Sequence, residues 1–219
     1  TWFDVASMER RPKKHIEQAD WLKYLNTSFS DDKPLDQLSI EILSADGADE
    51  NLRPAAKFLL ARDVDAHLLA QDVVWVGGGS VANLLAVWDV HELRPVFRRV
   101  WEAGVVLSGV SAGSICWYQG GCTDSYGPDL RAVTNGLALL PYGNGVHYDS
   151  EEQRRPTVHR LVGKGILGDT HCTDDGVGLV YHGTELVEAV TEQPGKGAYI
   201  VRRGDDGQVT EERIEPRAL

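Results

Sequence analysis

The stretch GVVLSGVSAGS, residues 104–114, governs how the rest of the chain reads. Gly104 to Val110 is a short apolar run bounded by glycine, as expected of a strand buried on both faces of a sheet. It breaks sharply at Ser111-Ala112-Gly113-Ser114, where small side chains permit a tight turn into a helix. Gly109-Val110-Ser111-Ala112-Gly113 fits G-x-S-x-G. In that geometry the Ser111 hydroxyl projects out of the backbone. The amide of Ala112 then points to where an oxyanion would form.

Upstream, Val73-Val74-Trp75-Val76 is a second run of the same kind, closed by Gly77-Gly78-Gly79. Ser80 is an N-cap residue for a helix from Val81, with Asn83 to Trp88 in its body. Leu93 to Ala103 reads as another helix. Strand and helix alternate, the signature of an α/β fold with a parallel sheet covered on both faces. Further back, Ile16, Ala19, Leu22, Leu25 and Phe29 recur at helical spacing, so His15 to Phe29 is expected to be a helix. Leu38 to Leu43 (LSIEIL) alternates like a strand, Ser44 to Asn51 is a polar connection, and Pro54 to Ala70 reads as largely helical. Downstream, Pro141 to Asp149 is rich in turn formers and is expected to be a loop. Thr157 to Val162 reads as a helix and Gly176 to Val180 as a strand. Ala198 to Val201 and Gln208 to Arg213 flank a polar turn, as in a hairpin. No repeat or linker interrupts the pattern, so residues 1–219 are expected to form a single α/β domain.

The chain has 219 residues and a formal net charge of −11, which excludes sequence-independent nucleic-acid binding and attraction to an anionic membrane. A small acidic ligand held by a local basic cluster is still compatible. No run of about 18 apolar residues predicts a membrane span, and no signal peptide is legible. Cys116, Cys122 and Cys172 are odd in number and lack C-x-x-C spacing. Free thiols in a reducing cytoplasm are therefore expected, with no disulfide framework and no metal site.

A serine hydroxyl needs a base. Of His15, His67, His91, His147, His159, His171 and His182, the best placed is His147, in the turn-rich segment PYGNGVHYD. His159 reads as a surface residue, His91 as a helix-start residue, and His171 and His182 as structural. For the acid that orients the base, Asp124, Asp149, Asp174 and Asp175 stand open. Gly77-Gly78-Gly79-Ser80 lacks the spacing and lysine of a phosphate-binding loop. Its functional reading is an amide donated to an oxyanion. Arg154 and Arg155 follow the candidate base closely and suit recognition of a carboxylate.

Together these residues resemble the peptidase E (aspartyl dipeptidase) family. The matching features are VGGGS at 76–80 with Asn83-Leu84-Leu85, GVSAGS at 109–114, Val146-His147-Tyr148-Asp149, and Asp174-Asp175-Gly176. The resemblance covers about Leu68 to Val201. It implies a three-layer α/β sandwich with a mostly parallel central sheet, of the class I glutamine-amidotransferase-like (flavodoxin-like) type. It also implies Ser111 as nucleophile, His147 as base, and a carboxylate from the 174–176 segment as third member. Asp175 is the choice, with Asp174 beside it. The amides of Gly79 and Ala112 would form the oxyanion hole. Ser80, Arg154 and Arg155 would line the substrate site, the arginines taking an N-terminal aspartate side chain. The implied activity is hydrolysis of Asp-X dipeptides by a cytoplasmic homodimer without cofactor. The alternatives are a serine hydrolase acting on a β-aspartyl polymer or other acyl substrate, and a ligand-binding relative without catalysis. The family's Gly-rich first strand and its Pro-Thr-Ala segment have no clear counterpart, with Phe3 to Ser7 the nearest to the latter. The order Ser111, His147, Asp175 also differs from the Ser, Asp, His order of α/β-hydrolases.

Overall fold

The computed structural model describes residues 18–44 and 64–219. Two compact units make up the chain, Thr1–His67 and Leu68–Leu219. In the first, α1 (Gln18–Ser30) matches the helical spacing read from His15 onward, of which residues 15–17 lie outside the described part. α2 (Leu35–Ser44) corrects the strand expected at Leu38 to Leu43. Leu38, Ile40 and Ile42 alternate, but Leu38 and Ile42 are also four apart. Leu38 is buried whereas Ile40 is 64% exposed, so the helical face won over the alternation. Glu41 closes this unit by accepting from Tyr24 at 2.8 Å and Lys33 at 2.5 Å. The connection expected at Ser44 to Asn51 and most of the helix expected at Pro54 to Ala70 lie outside the described residues. α3 (Val64–Leu69) is the described part of the latter.

In the second unit β1 (Val73–Val76) pairs in parallel with β2 (Val106–Gly109), Val76 opposite Gly109. Between them run α4 (Val81–Val90) and α5 (Leu93–Glu102). Val81, Leu85 and Trp88 form the buried stripe of α4, and Val96, Phe97 and Val100 that of α5. Trp88, Phe97 and Trp117 interlock, with ring centroids 4.4, 5.6 and 5.3 Å apart. The expectation that β1 and β2 are buried on both faces is corrected. Val74 and Val76 face the core, but Val73 is 54%, Trp75 64% and Val106 57% exposed. An apolar run shows that both faces of a strand are apolar; it does not supply the layer that covers the second.

After α6 (Ala112–Ile115), the chain forms β3 (Tyr118–Thr123), β4 (Arg131–Val133), β5 (Leu140–Gly145), α7 (Arg154–Gly163) and β6 (Thr170–Thr173). β7 (Val177–His182) to β11 (Arg217–Ala218) complete it, with β8 Glu185–Thr191, β9 Ala198–Arg203 and β10 Val209–Ile214. The order β10-β9-β6-β5-β3-β4 makes a six-stranded mixed sheet, parallel across β3/β5/β6, with β7, β8 and β11 in a separate three-stranded sheet. The α/β class read from the sequence is the one observed, as is the β9–β10 hairpin. α7 buries Val158, Leu161 and Val162 against Cys122, Cys172 and Val201. All three cysteines are buried free thiols.

The loop expected at Pro141 to Gly145 is corrected: this is β5, an interior strand. Its glycines answer to crowding rather than turning. A methyl group on Gly145 would stand 2.7 Å from Cys172 Sγ, and one on Gly143 would overlap the Thr170 side chain. Between them Asn144 is buried, accepts from Ser114 Oγ at 3.1 Å and donates to the His171 carbonyl at 3.0 Å. The segments leaving β1, β2, β5 and β6 carry Gly77–Ser80, Ser111, His147 and Asp175, so the carboxyl ends of parallel strands gather the candidate residues. Among the described residues no helix is long and apolar enough to cross a membrane.

Candidate active site

Ser111 sits between β2 and α6 at φ 56°, ψ −116°, a backbone region that a residue with a side chain rarely occupies. Four hydrogen bonds hold it there: Val110 N–H to the Val76 carbonyl at 3.1 Å, Gly113 N–H to the Val110 carbonyl at 3.0 Å, and Ser114 and Ile115 N–H to the Ser111 carbonyl at 2.9 and 3.0 Å. The turn is possible because α6 begins directly against β1. A methyl group on Gly113 would lie 2.6 Å from the Val76 carbonyl carbon and 2.7 Å from the Gly77 oxygen. Both are backbone atoms with nowhere to go. Gly113→Ala is therefore expected to lower the unfolding free energy in urea by about 3 kcal/mol. The surviving folded fraction should react more slowly at Ser111 with a serine-directed reagent.

Ser80 caps α4, its Oγ accepting from Asn83 N–H at 3.3 Å, as the sequence led us to expect. Gly78 lies against the elbow: a methyl group there would be 3.3 Å from Ser111 Cβ. Gly79 is at φ 136°, open to glycine alone. Among the described residues no hydrogen bond engages the Gly79 or Ala112 amides.

His147 follows β5, itself at φ 54°. Tyr148 N–H donates to the Thr173 carbonyl at 3.1 Å, stitching this turn to the end of β6. His147 Nε2 is 3.0 Å from Ser111 Oγ, and Nδ1 is 2.7 Å from Asp175 Oδ1. An ionised carboxylate only accepts, so Nδ1 carries the proton and Nε2 is left to accept from the serine. Asp175 does remain ionised. A hydrogen bond from Ser150 holds its carboxyl below the usual range, burial opposes this, and His147 adds to the lowering.

Asp174 faces the other way. It is buried, accepts from Gly197 N–H at 2.8 Å and Tyr199 Oη–H at 3.3 Å, and burial raises its carboxyl. Asp149, weighed from sequence as a third member, accepts the Asp175 N–H at 2.9 Å instead. Asp124 sits on an exposed turn after β3, where its carbonyl accepts from Gly127 at 3.0 Å.

The two arginines are not free cations. Arg154 is 2% exposed and donates to the Cys122 carbonyl at 2.5 Å and to Glu151 at 2.6 Å. Arg155 clasps Glu211 with Nε and Nη2 and lies 5.2 and 4.8 Å from the ring centroids of Tyr148 and Tyr199. Glu211 also accepts from Tyr148 at 2.6 Å and is 2.8 Å from His159 Nε2, so His159 is tied down rather than a bare surface residue. Sequence reading missed Glu211, Ser150 and Lys196. Each acts across a gap of many residues, and none lies in a recognisable motif.

Burial works against the charge of Glu211, but hydrogen bonds from Arg155, Tyr148 and His159 outweigh it and hold the carboxyl below the usual 4.5. A depressed carboxyl stabilises the fold above its unfolded value and stops doing so as pH falls through its folded value. Glu211→Gln is thus expected to cost about 1 kcal/mol at pH 7 and nearly nothing once wild-type Glu211 is protonated. Urea unfolding of both proteins from pH 7 to pH 3 measures this; a gap that does not narrow on acidification would overturn it.

Residues 54–189, more than half of the chain, match the model of Peptidase family S51. A protein of Bacillus subtilis (strain 168) named as the uncharacterized peptidase YgaJ is 38% identical over 139 residues. The matched region is 64% of this chain and spans 60% of that relative's length.

Proposed function

Because this chain belongs to Peptidase family S51, we propose that it is a serine hydrolase that cleaves short peptides, with Asp-X dipeptides as its preferred substrates. The observation that supports this reading is the continuous hydrogen-bonded line from Ser111 Oγ through His147 to Asp175, rooted in the strained turn after β2. In this mechanism His147 Nε2 takes the Ser111 proton as Oγ bonds to the peptide carbonyl carbon. The oxyanion that forms is held by the Gly79 and Ala112 amides. His147 returns the proton to the leaving amine, the C–N bond breaks, and an acyl-enzyme remains. A water deprotonated by His147 then attacks the ester, and Ser111 leaves with the proton. Asp175 keeps the imidazole in the required tautomer throughout. No metal or organic cofactor enters this chemistry.

Carboxylate preference falls to the arginine pair in this reading. Arg155, with its side chain 49% exposed, can exchange Glu211 for a substrate carboxylate, while Arg154 braces the turn from beneath. Ser80, next to Gly79 at the start of α4, is the further substrate-binding residue in this reading. The reading includes a homodimer in the cytoplasm, where buried Cys116, Cys122 and Cys172 stay reduced.

The test is hydrolysis of Asp-Leu beside Ala-Leu and Glu-Leu. Cleavage of Asp-Leu alone is expected. If all three survive while Ser111 still reacts with a fluorophosphonate, the substrate is another acyl compound such as a β-aspartyl polymer. A folded protein whose Ser111 never reacts is not a serine hydrolase.

A further inference from the structure

The turn that bears Asp175 is clamped by charge. Asp149 uses Oδ1 to accept the Asp175 N–H at 2.9 Å, and its other oxygen pairs with Lys196 from the loop before β9. That loop is bound to the neighbouring residue as well. Asp174 N–H donates to the Gly197 carbonyl at 3.1 Å, and Gly197 N–H donates to Asp174 Oδ2 at 2.8 Å. The Lys196 ammonium pairs with Asp149, and the neighbouring Asp174 and Asp175 carboxylates add to the negative field around it. From β10, Arg213 hydrogen-bonds the Gly195 and Lys196 carbonyls at 3.5 and 3.4 Å and shares its charge with Glu215 at 3.3 Å. Ser111 and Ser150 are the neutral groups in contact with the His147–Asp175 couple. Lys196 lies beyond the residues that match the family model.

We propose that Asp149 and Lys196 are a positioning pair that orients Asp175 and sets the proton affinity of the His147–Asp175 couple. This rests on the reading of His147 as the base. Asp149 fixes the backbone of Asp175, but alone it would add a second negative charge behind the imidazole and favour the imidazolium, which cannot act as a base. Lys196 offsets that charge while the orienting hydrogen bond is kept. The titration of Asp149 fits: burial disfavours its charge, yet Lys196 and the Asp175 amide hold its carboxyl below the usual range.

The test follows the His147 imidazole by NMR across pH, its resonance assigned through His147→Gln. Lys196→Met removes a positive charge and is expected to raise the titration midpoint by about half a pH unit. Asp149→Asn keeps an oxygen for the Asp175 amide, leaves Lys196 unopposed, and is expected to lower the midpoint by a similar amount. Lys196→Arg should keep the wild-type value. The acid limb of Ser111 labelling by a fluorophosphonate should move with each midpoint. Loosened packing alone predicts shifts of one sign or none, and either result overturns the proposal. Should the midpoints move in opposite directions while wild-type Ser111 stays unlabelled at every pH, the pair stands and the hydrolase reading falls.

Discussion

Ser111→Ala is expected to reduce turnover of any peptide the wild-type protein cleaves by roughly a millionfold, to near the rate left by binding and oxyanion donors alone. The loss should appear in kcat, since the Ser111 hydroxyl is the atom that forms the covalent bond and alanine leaves the backbone of the turn intact. Stability should hold or rise slightly. The φ of 56° is set by the backbone hydrogen bonds around Val110 and Gly113, and the serine side chain caps nothing in α6. Parallel measurement of dipeptide turnover and urea unfolding separates the two effects. A variant that is stable and still turns over at more than a thousandth of the wild-type rate would exclude Ser111 as nucleophile.

The second large effect divides two adjacent aspartates. Asp175→Asn is expected to lower kcat about ten-thousandfold. Its amide can offer an N–H to His147 Nδ1, stabilising the tautomer with the proton on Nε2, where it cannot accept from Ser111. Asp174→Ala should do the reverse. It removes the oxygen that accepts from Gly197 N–H and the Tyr199 hydroxyl, so the unfolding midpoint should drop while kcat of the folded protein stays within about tenfold. Reading kcat and the urea midpoint for both variants gives a crossed pattern. If Asp174→Ala proved folded but catalytically silent and Asp175→Asn kept its activity, the triad assignment would be reversed.

The local features around Ser111 were legible because they follow from short-range rules. A short apolar run ended by small residues must turn, and Ser80 before an apolar helix caps it; both features stand in the structure where the sequence put them. His147 was legible for a weaker reason, its place in a glycine-rich segment. The first five residues of that segment, Pro141 to Gly145, belong to β5, and their glycines are there because the strand lies tight against Thr170 and Cys172; His147 stands in the turn that follows. The glycines that drew attention to His147 therefore serve strand packing, while the turn that carries it is formed by the residues after them. LSIEIL misled for the same reason: residues four apart are also two apart twice over, and only packing shows which spacing is used.

The sequence by itself determined the α/β class, the strand–turn–helix at Ser111 and a candidate base, since composition and local periodicity carry that information. Tertiary structure alone decided which aspartate meets His147. Asp174 and Asp175 are chemically identical neighbours, and one faces the β8–β9 loop while the other faces His147 only because of how that loop closes on the end of β6. It likewise decided that both arginines are already paired, through Glu151 and Glu211, and that among the described residues nothing covers Val73, Trp75 and Val106. These outcomes depend on which atoms remote segments bring together, and a linear pattern does not encode that distance by distance.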